Sequence, residues 1–225
     1  MTEVARQGSS AGRRASAGRD AASERWLLLI GIVALIAVAL GAIGPGPADL
    51  PKATRSLTMA EARAANAALP IDRARRIRAL RYRFRGGPAA RAQAVECLAT
   101  AALYEAGDDP RGQRAVIQVV LNRVRAPGFP KTVCGVVYQG YARRTGCQFS
   151  FTCDGSIARR TVHVGWAAAR RRARRALDGA VFAEVGGATH YHTDWMVPYW
   201  RDSLTKVAQV GTHLFYVPKR RGGER

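Results

Sequence analysis

The chain has 225 residues, 48% of them hydrophobic, and a formal net charge of +20. That is long enough for one domain with a real core plus extra segments, and too apolar for a wholly disordered chain. Only four lysines occur (52, 131, 206 and 219), so 32 of the 36 basic residues are arginine; so strong a positive field points to an anionic neighbourhood, whether membrane surface, wall polymer or nucleic acid.

Residues 1–25 form a polar Arg/Ser/Ala/Gly tail of disordered composition. "WLLLIGIVALIAVALGAI", residues 26–43, follows with eighteen residues that carry no charge and no strong polar group. Such a run is about the minimum for a helix that spans a bilayer. It also lacks the polar stripe of an ordinary core helix. Arg6, Arg13, Arg14, Arg19 and Arg25 precede it and predict a cytoplasmic N-terminus. The competing reading is a signal peptide cut near Gly41 and Ala42. On either reading residues 44 onward lie outside the cytoplasmic membrane. The expectation is a single-pass bacterial inner-membrane protein with its domain on the periplasmic side.

Residues 44–88 read as a basic linker. "GPGPADLPKA" cannot continue a helix. Further on, "IDRARRIRALRYRFRG" puts Ile71, Ala74, Ile77, Leu80 and Phe84 at helical spacing. That spacing suits a basic amphipathic helix lying on anionic lipid or leading into the domain. A solvated linker accounts for the composition equally well. "GGP" at 86–88 marks the expected boundary of a domain over residues 89–217, and residues 218–225 are a basic tail.

Within the domain a small and apolar helix is predicted over 89–106. Asp109 then reads as an N-cap with Pro110 as first helical residue, opening a second helix that runs to about Arg125. A cysteine-rich loop region covers 130–160, and a third helix covers 162–178, closed by Gly179. "ATHYHT", "KVAQVG" and "HLFYV" read as short strands or a hairpin. The fold class expected is therefore a mainly helical α+β domain. The four cysteines, Cys97, Cys134, Cys147 and Cys153, form no CxxC and so argue against a zinc ribbon. An even count in an exported chain reads as two disulfides, and three pairings are open. Proximity favours Cys147 with Cys153, which leaves Cys97 with Cys134; four free buried thiols is the alternative.

The first helix carries two carboxylates, Glu96 and Glu105. Nine residues are about 900° of helix, so the two lie on opposite faces and cannot act as a pair. Glu105 shares its face with Leu98, Ala101 and Ala102 and sits at the negative end of the helix. Apolar surroundings and the helix dipole both disfavour its anion and raise its pKa. A glutamic acid held protonated near neutral pH is what a general acid requires. The bland alternative is a surface residue at a frayed helix end.

Five blocks in order, "ECLATAALYEAGDDPRGQRAVIQVVLNRV", "FPKTVCGVVYQ", "CQFSFTCDG", "ATHYHTDWMVPYW" and "GTHLFY", resemble the SleB-like (spore-cortex-lytic) cell wall hydrolase family. The resemblance covers residues 91–217. It implies a lysozyme-like, lytic-transglycosylase-like domain that cuts peptidoglycan glycan strands with one catalytic glutamate, and the "YEA" block carries that role to Glu105. It also implies that the sugar's own 6-hydroxyl can serve as nucleophile, giving a 1,6-anhydro product. The anchor in place of the spore enzymes' peptidoglycan-binding repeat points to vegetative wall remodelling.

Around that acid the sequence offers candidates for binding substrate. Asp154 sits beside Gln148, Ser150 and Thr152 and could orient sugar or activate water, although a turn aspartate before Gly155 is the simpler reading. His190 and His192 share one face of a strand and suit a sugar groove better than a metal, since two histidines do not close a site. Tyr191, Trp195, Tyr199 and Trp200 offer flat rings for sugar faces, or ordinary packing. Asn122 and Arg123 interrupt an apolar helix, Arg123 as a partner for a buried acid and Asn122 towards the cleft. "ARRRARRAL", 169–177, reads as a solvated or anion-docking face.

The expected partners are peptidoglycan and the inner membrane through residues 26–43. No cofactor or metal is expected, the oligomeric state is open, and no nucleic-acid recognition motif is visible. The alternative function is a catalytically inactive basic module that binds peptidoglycan or nucleic acid.

Overall fold

The computed structural model describes residues 26, 29–33, 35–36, 56–143, 146–158 and 164–219. The tail over 1–25 and most of the run 26–43 lie outside the described residues. Those of the run that are described are helical, and their apolar side chains, Leu35 and Val33 among them, are exposed. Among the described residues no helix is long and apolar enough to cross a membrane.

Residues 56–225 form one compact unit, and the rest of the fold belongs to it. Its boundary lies earlier than "GGP", because the basic stretch before residue 88 packs on the domain. Helix α1 (Met59–Ala68) starts with a capping box, in which the Thr58 side chain accepts from the Glu61 N–H and Glu61 returns a bond to the Thr58 N–H. Asn66, 2% exposed, donates from Nδ2 to the carbonyls of Asp194 and Met196. Lys206 donates to the Asn66 carbonyl at 2.7 Å, a cation on the carbonyl end of α1. The expected amphipathic helix over 71–84 is absent: one 3-10 turn (Arg73–Arg75) is followed by irregular chain over 76–87. Long-range bonds win there over local helix propensity. Asp72 N–H donates to the Lys206 carbonyl, and Gly187 N–H donates to the Ile77 carbonyl at 2.7 Å. At neighbouring Gly186 (φ +56°) a Cβ would stand 2.3 Å from the Ile77 oxygen, so this approach requires glycine.

Helix α2 (Pro88–Ala106) begins with proline in its first turn and ends at Gly107, whose φ of +51° suits glycine. Helix α3 (Pro110–Arg125) opens with Asp109 as predicted, its carboxylate accepting from the N–H groups of Arg111 and Gly112. Helix α4 (Val133–Val137) follows, then a 3-10 turn (Ser150–Thr152) and helix α5 (Trp166–Leu177). Strands β1 (His190–Thr193), β2 (Leu204–Val210) and β3 (His213–Pro218) make an antiparallel sheet in the order β1-β3-β2. A β-bulge interrupts β2 between Lys206 and Ala208.

Two apolar cores flank α3. On one side Val116, Val120 and Leu121 pack with Leu98 and Ala102 of α2, Val136 and Val137 of α4, Phe149 and Leu177. On the other, Ala115 and Val119 pack with Val207, Val210, Phe215 and Val217 of the sheet. Each fully buried Leu or Phe contributes roughly 2 kcal/mol. Cys97–Cys134 ties α2 to α4 and Cys147–Cys153 closes the loop, the pairing that proximity favoured.

Candidate active site

Glu105 lies in the last turn of α2, over the apolar patch that the helical spacing assigned to its face: Leu98, Ala101 and Ala102 are 0% exposed. Burial pushes its carboxyl above the ordinary glutamate range. Two neighbours oppose that shift. The Tyr191 hydroxyl donates to Oε2 at 2.9 Å, and the Arg123 guanidinium acts through space. Tyr191 comes from β1, 86 residues further along the chain, and its ring leans on Phe215 and His213 at 5.6 and 5.4 Å.

Arg123, read from the sequence as a partner for a buried acid, lies in the field of Glu105. It projects from α3 and is 2% exposed, with Nε donating to the Thr189 carbonyl at 2.6 Å. The rings of Phe129, Phe149 and Tyr191 surround its guanidinium at 5.5, 5.7 and 5.9 Å. The Gln148 side-chain oxygen, once the amide is oriented to satisfy both partners, accepts from both terminal nitrogens at 3.1 and 3.2 Å. Burial lowers its pKa to about 10, still well above neutrality, so it stays a cation. The sequence did carry a signal for it: a charge between Leu121 and Val124 on a helix whose flanks are apolar.

The other predicted residues separate into two groups. His190 joins the Arg123 cluster, with Phe129 edge-on at 6.0 Å, and Thr189 Oγ1 3.0 Å from its Nδ1. Desolvation, then the charge of Arg123, lowers its pKa to about 4, so the ring is neutral at pH 7. Trp200 packs between His190 and His192 at 5.4 and 5.5 Å, which confirms that the two histidines share a face. His192 is 5% exposed and engaged at both nitrogens, with the Thr193 carbonyl and the Tyr216 hydroxyl each at 2.8 Å. It packs in the sheet and does not open on a groove. Among the described residues no group of three His, Cys, Asp or Glu side chains is disposed to hold a metal.

Ser150 and Asp154 are exposed on the loop. The Asp154 carboxylate accepts from the Ser156 N–H at 2.7 Å, the turn geometry that was the simpler reading. The loop reaches α2 through Tyr104, which stacks on Phe151 at 4.7 Å and donates to the Ser156 carbonyl. Tyr199 is 99% exposed, and Trp195 lies under the Arg63 guanidinium. Asn122 does not face a cleft. Its amide donates to the Gly186 and Ala188 carbonyls and accepts from Gln118, which fastens the loop before β1 to α3.

Residues 107–216 match the family described as Cell Wall Hydrolase. The matched stretch takes in Arg123, Gln148 and Tyr191 and begins just after Glu105. The spore cortex-lytic enzyme of Halalkalibacterium halodurans is 33% identical over 123 residues, covering 54% of this chain and 34% of the relative. That of Oceanobacillus iheyensis is 30% identical over 125 residues, covering 54% and 40%. This chain thus spans well under half the length of the curated relatives it matches. The catalytic domain of the Bacillus cereus SleB protein aligns with a TM-score of 0.46 at 26% identity, covering 60% of this chain and 95% of that one. Residues 107–216 are thus similar to the Cell Wall Hydrolase family and to part of the spore cortex-lytic enzymes.

Proposed function

We propose that this cell wall hydrolase domain cuts the glycan strands of peptidoglycan, with Glu105 acting as general acid and then as base. One observation carries the reading: a half-buried carboxyl with a raised pKa that nonetheless has Tyr191 and Arg123 ready to stabilise its anion. The family and the relatives named for spore cortex lysis support the substrate class.

A protonated carboxyl accepts through its carbonyl-type oxygen, so donation from Tyr191 to Oε2 leaves the acid proton on Oε1. That proton passes to the glycosidic oxygen. The C–O bond breaks, its electron pair stays on the leaving oxygen, and the sugar becomes oxocarbenium-like. Glu105 is now a carboxylate, held by the Tyr191 hydroxyl and the Arg123 charge. It takes the proton of the incoming nucleophile and is restored. Water as nucleophile gives hydrolysis, and the sugar's 6-hydroxyl gives a 1,6-anhydro end. The turn bond of Asp154 favours the route that needs no second carboxylate.

Residues 26–43 we read as a membrane anchor, supported by the uncharged apolar run, the arginines before it and the exposed apolar side chains of its described part. The domain then works on the extracytoplasmic side, where two disulfides persist.

The test incubates the full chain in detergent, and its Glu105→Gln variant, with purified peptidoglycan and identifies released fragments by mass spectrometry. Anhydro-muramyl ends from the wild type alone establish transglycosylation through Glu105. Reducing ends from the wild type alone establish hydrolysis and bring Asp154 forward. Equal release by the variant removes Glu105 from the role. Binding without release by either protein favours the inactive wall-binding module.

A further inference from the structure

A second feature lies away from Glu105. A pocket of about 420 Å³ opens between α3, α5 and the turn after α5, lined by Arg114, Arg172 and Arg175 over Ile117, Ala176 and Phe182. Arg114 and Arg123 are nine residues apart on α3, about 900°, so the pocket faces away from the Glu105 site. It cannot be an extension of a groove that serves that acid. Two of the arginines have structural support: Arg114 lies 5.1 Å over the Phe182 ring, and Arg172 donates to Gln113 Oε1 at 2.9 Å.

Val181 links this pocket to a second depression of about 660 Å³ lined by Arg76, Arg78 and Arg81 of the basic stretch, with Ile77 and Leu80 between them. Here the apolar side chains point outward. Ile77 is 58% exposed, Leu80 61% and Val181 37%. The irregular backbone before α2 is pinned by the Ile77 carbonyl to Gly187, which holds these side chains on the surface. Six arginines therefore ring three exposed aliphatic side chains on one continuous face.

Neither half of that pattern explains the other in water. A polymer of sugars and peptide carboxylates would use the arginines and leave Ile77 and Leu80 wet. A bilayer surface uses both, because aliphatic side chains enter the headgroup–acyl boundary while guanidinium groups take lipid phosphates. We propose that this face docks on an anionic lipid bilayer, with the arginines around Val181 holding lipid phosphates and Ile77 and Leu80 inserted between headgroups. The docking depends on neither Glu105 nor residues 26–43, and it turns the opposite side of α3, with the acid, away from the membrane.

The experiment places an environment-sensitive fluorophore on a Leu80→Cys variant of the full chain, feasible because the native cysteines are all paired. A Tyr199→Cys variant, labelled at a fully exposed position outside both pockets, is the control. Each is reconstituted into vesicles of pure phosphatidylcholine, or of phosphatidylcholine with about one-third phosphatidylglycerol, so that residues 26–43 are present in both and only the lipid charge differs. The expected result is a blue shift at position 80 on the anionic vesicles only, with none at position 199. Replacing Arg78, Arg81 and Arg175 together by Gln removes most of that shift, since each arginine strengthens the local attraction to anionic lipid roughly fivefold. Release of glycan fragments by the triple variant stays as in the wild type. Equal shifts on both vesicles, or at both positions, overturn the proposal, as does a position 80 shift that appears with purified peptidoglycan and not with lipid. Loss of catalysis in Glu105→Gln leaves all of these readouts unchanged, so the two readings fail separately.

Discussion

The hydroxyl of Tyr191 donates to Oε2 of Glu105 across 2.9 Å and 86 residues of chain. One group raises and the other restrains the same pKa: burial favours the neutral acid, and this bond favours the anion. A residue that must give a proton and then hold a negative charge needs both influences.

Tyr191→Phe tests the restraint. The ring and its contacts with His213 and Phe215 remain, and only the donor is lost. The Glu105 pKa then rises further, because the bond that lowered it is gone. The alkaline limb of kcat/KM for glycan release moves to higher pH, while kcat falls by about tenfold to a hundredfold as the anion loses its partner. An unmoved limb would show that Tyr191 only packs.

Arg123→Met leaves the Thr189 carbonyl and the Gln148 oxygen without their donor. Breaking so buried a set of bonds costs about 3 kcal/mol, read as a lower denaturation midpoint at unchanged m-value. It also removes the positive charge that lowers the Glu105 pKa, so the alkaline limb moves in the same direction as in Tyr191→Phe. Arg123→Lys restores charge but not the fork that serves both partners, and so restores stability only in part.

His190 sets an acid limit. Its pKa is lowered from 6.5 to about 4 in the fold, so the folded state favours the neutral ring. That contribution is complete above the unfolded value and is lost as pH falls through the window from 6.5 to about 4. Thermal denaturation between pH 7 and pH 4 should therefore lose less stability in His190→Gln than in the wild type. Because the ring is only partly buried, the difference is modest. Parallel curves for the two proteins would remove His190 from this role.

The bridge Cys97–Cys134 closes a loop of 37 residues and joins α2, which carries Glu105, to α4. Replacing both cysteines by alanine should lower stability by about 3 kcal/mol, seen as a fall in Tm. A similar loss on adding a reductant to the wild type, and only the smaller loss from Cys147–Cys153 on adding it to the double variant, would assign the effect to this bridge. Cys147–Cys153 closes only a short loop and contributes less.

Local chemistry was legible in the sequence. The start of α3 at Asp109–Pro110, the end of α2 at Gly107 and the apolar face under Glu105 follow from caps, punctuation and a 3.6-residue period, all of which act within a few residues. The five blocks carried the resemblance to cell wall hydrolases. Proximity of cysteines, together with their even number, was enough to favour the pairing found.

Groups brought together from far along the chain were not legible. Nothing near residue 105 says that Tyr191 reaches it, or that Arg123 sits in a cage of Phe129, Phe149 and Tyr191. The pair His190 and His192 looked equivalent, yet sheet packing buries one against Tyr216 and leaves the other in the Arg123 cluster. The basic stretch shows the same divide most clearly. Its periodicity spelled a helix, but the Asp72 N–H bonds to the Lys206 carbonyl and the Ile77 carbonyl accepts from Gly187, which holds the backbone in another shape. Which residues could serve as acid, cap, bridge and core was readable in advance, because those are properties of side chains and near neighbours. Which of them meet was left to the closed fold, because the pKa of Glu105 and the company of Arg123 depend on desolvation and on contacts that exist once α2, α3 and the sheet have come together.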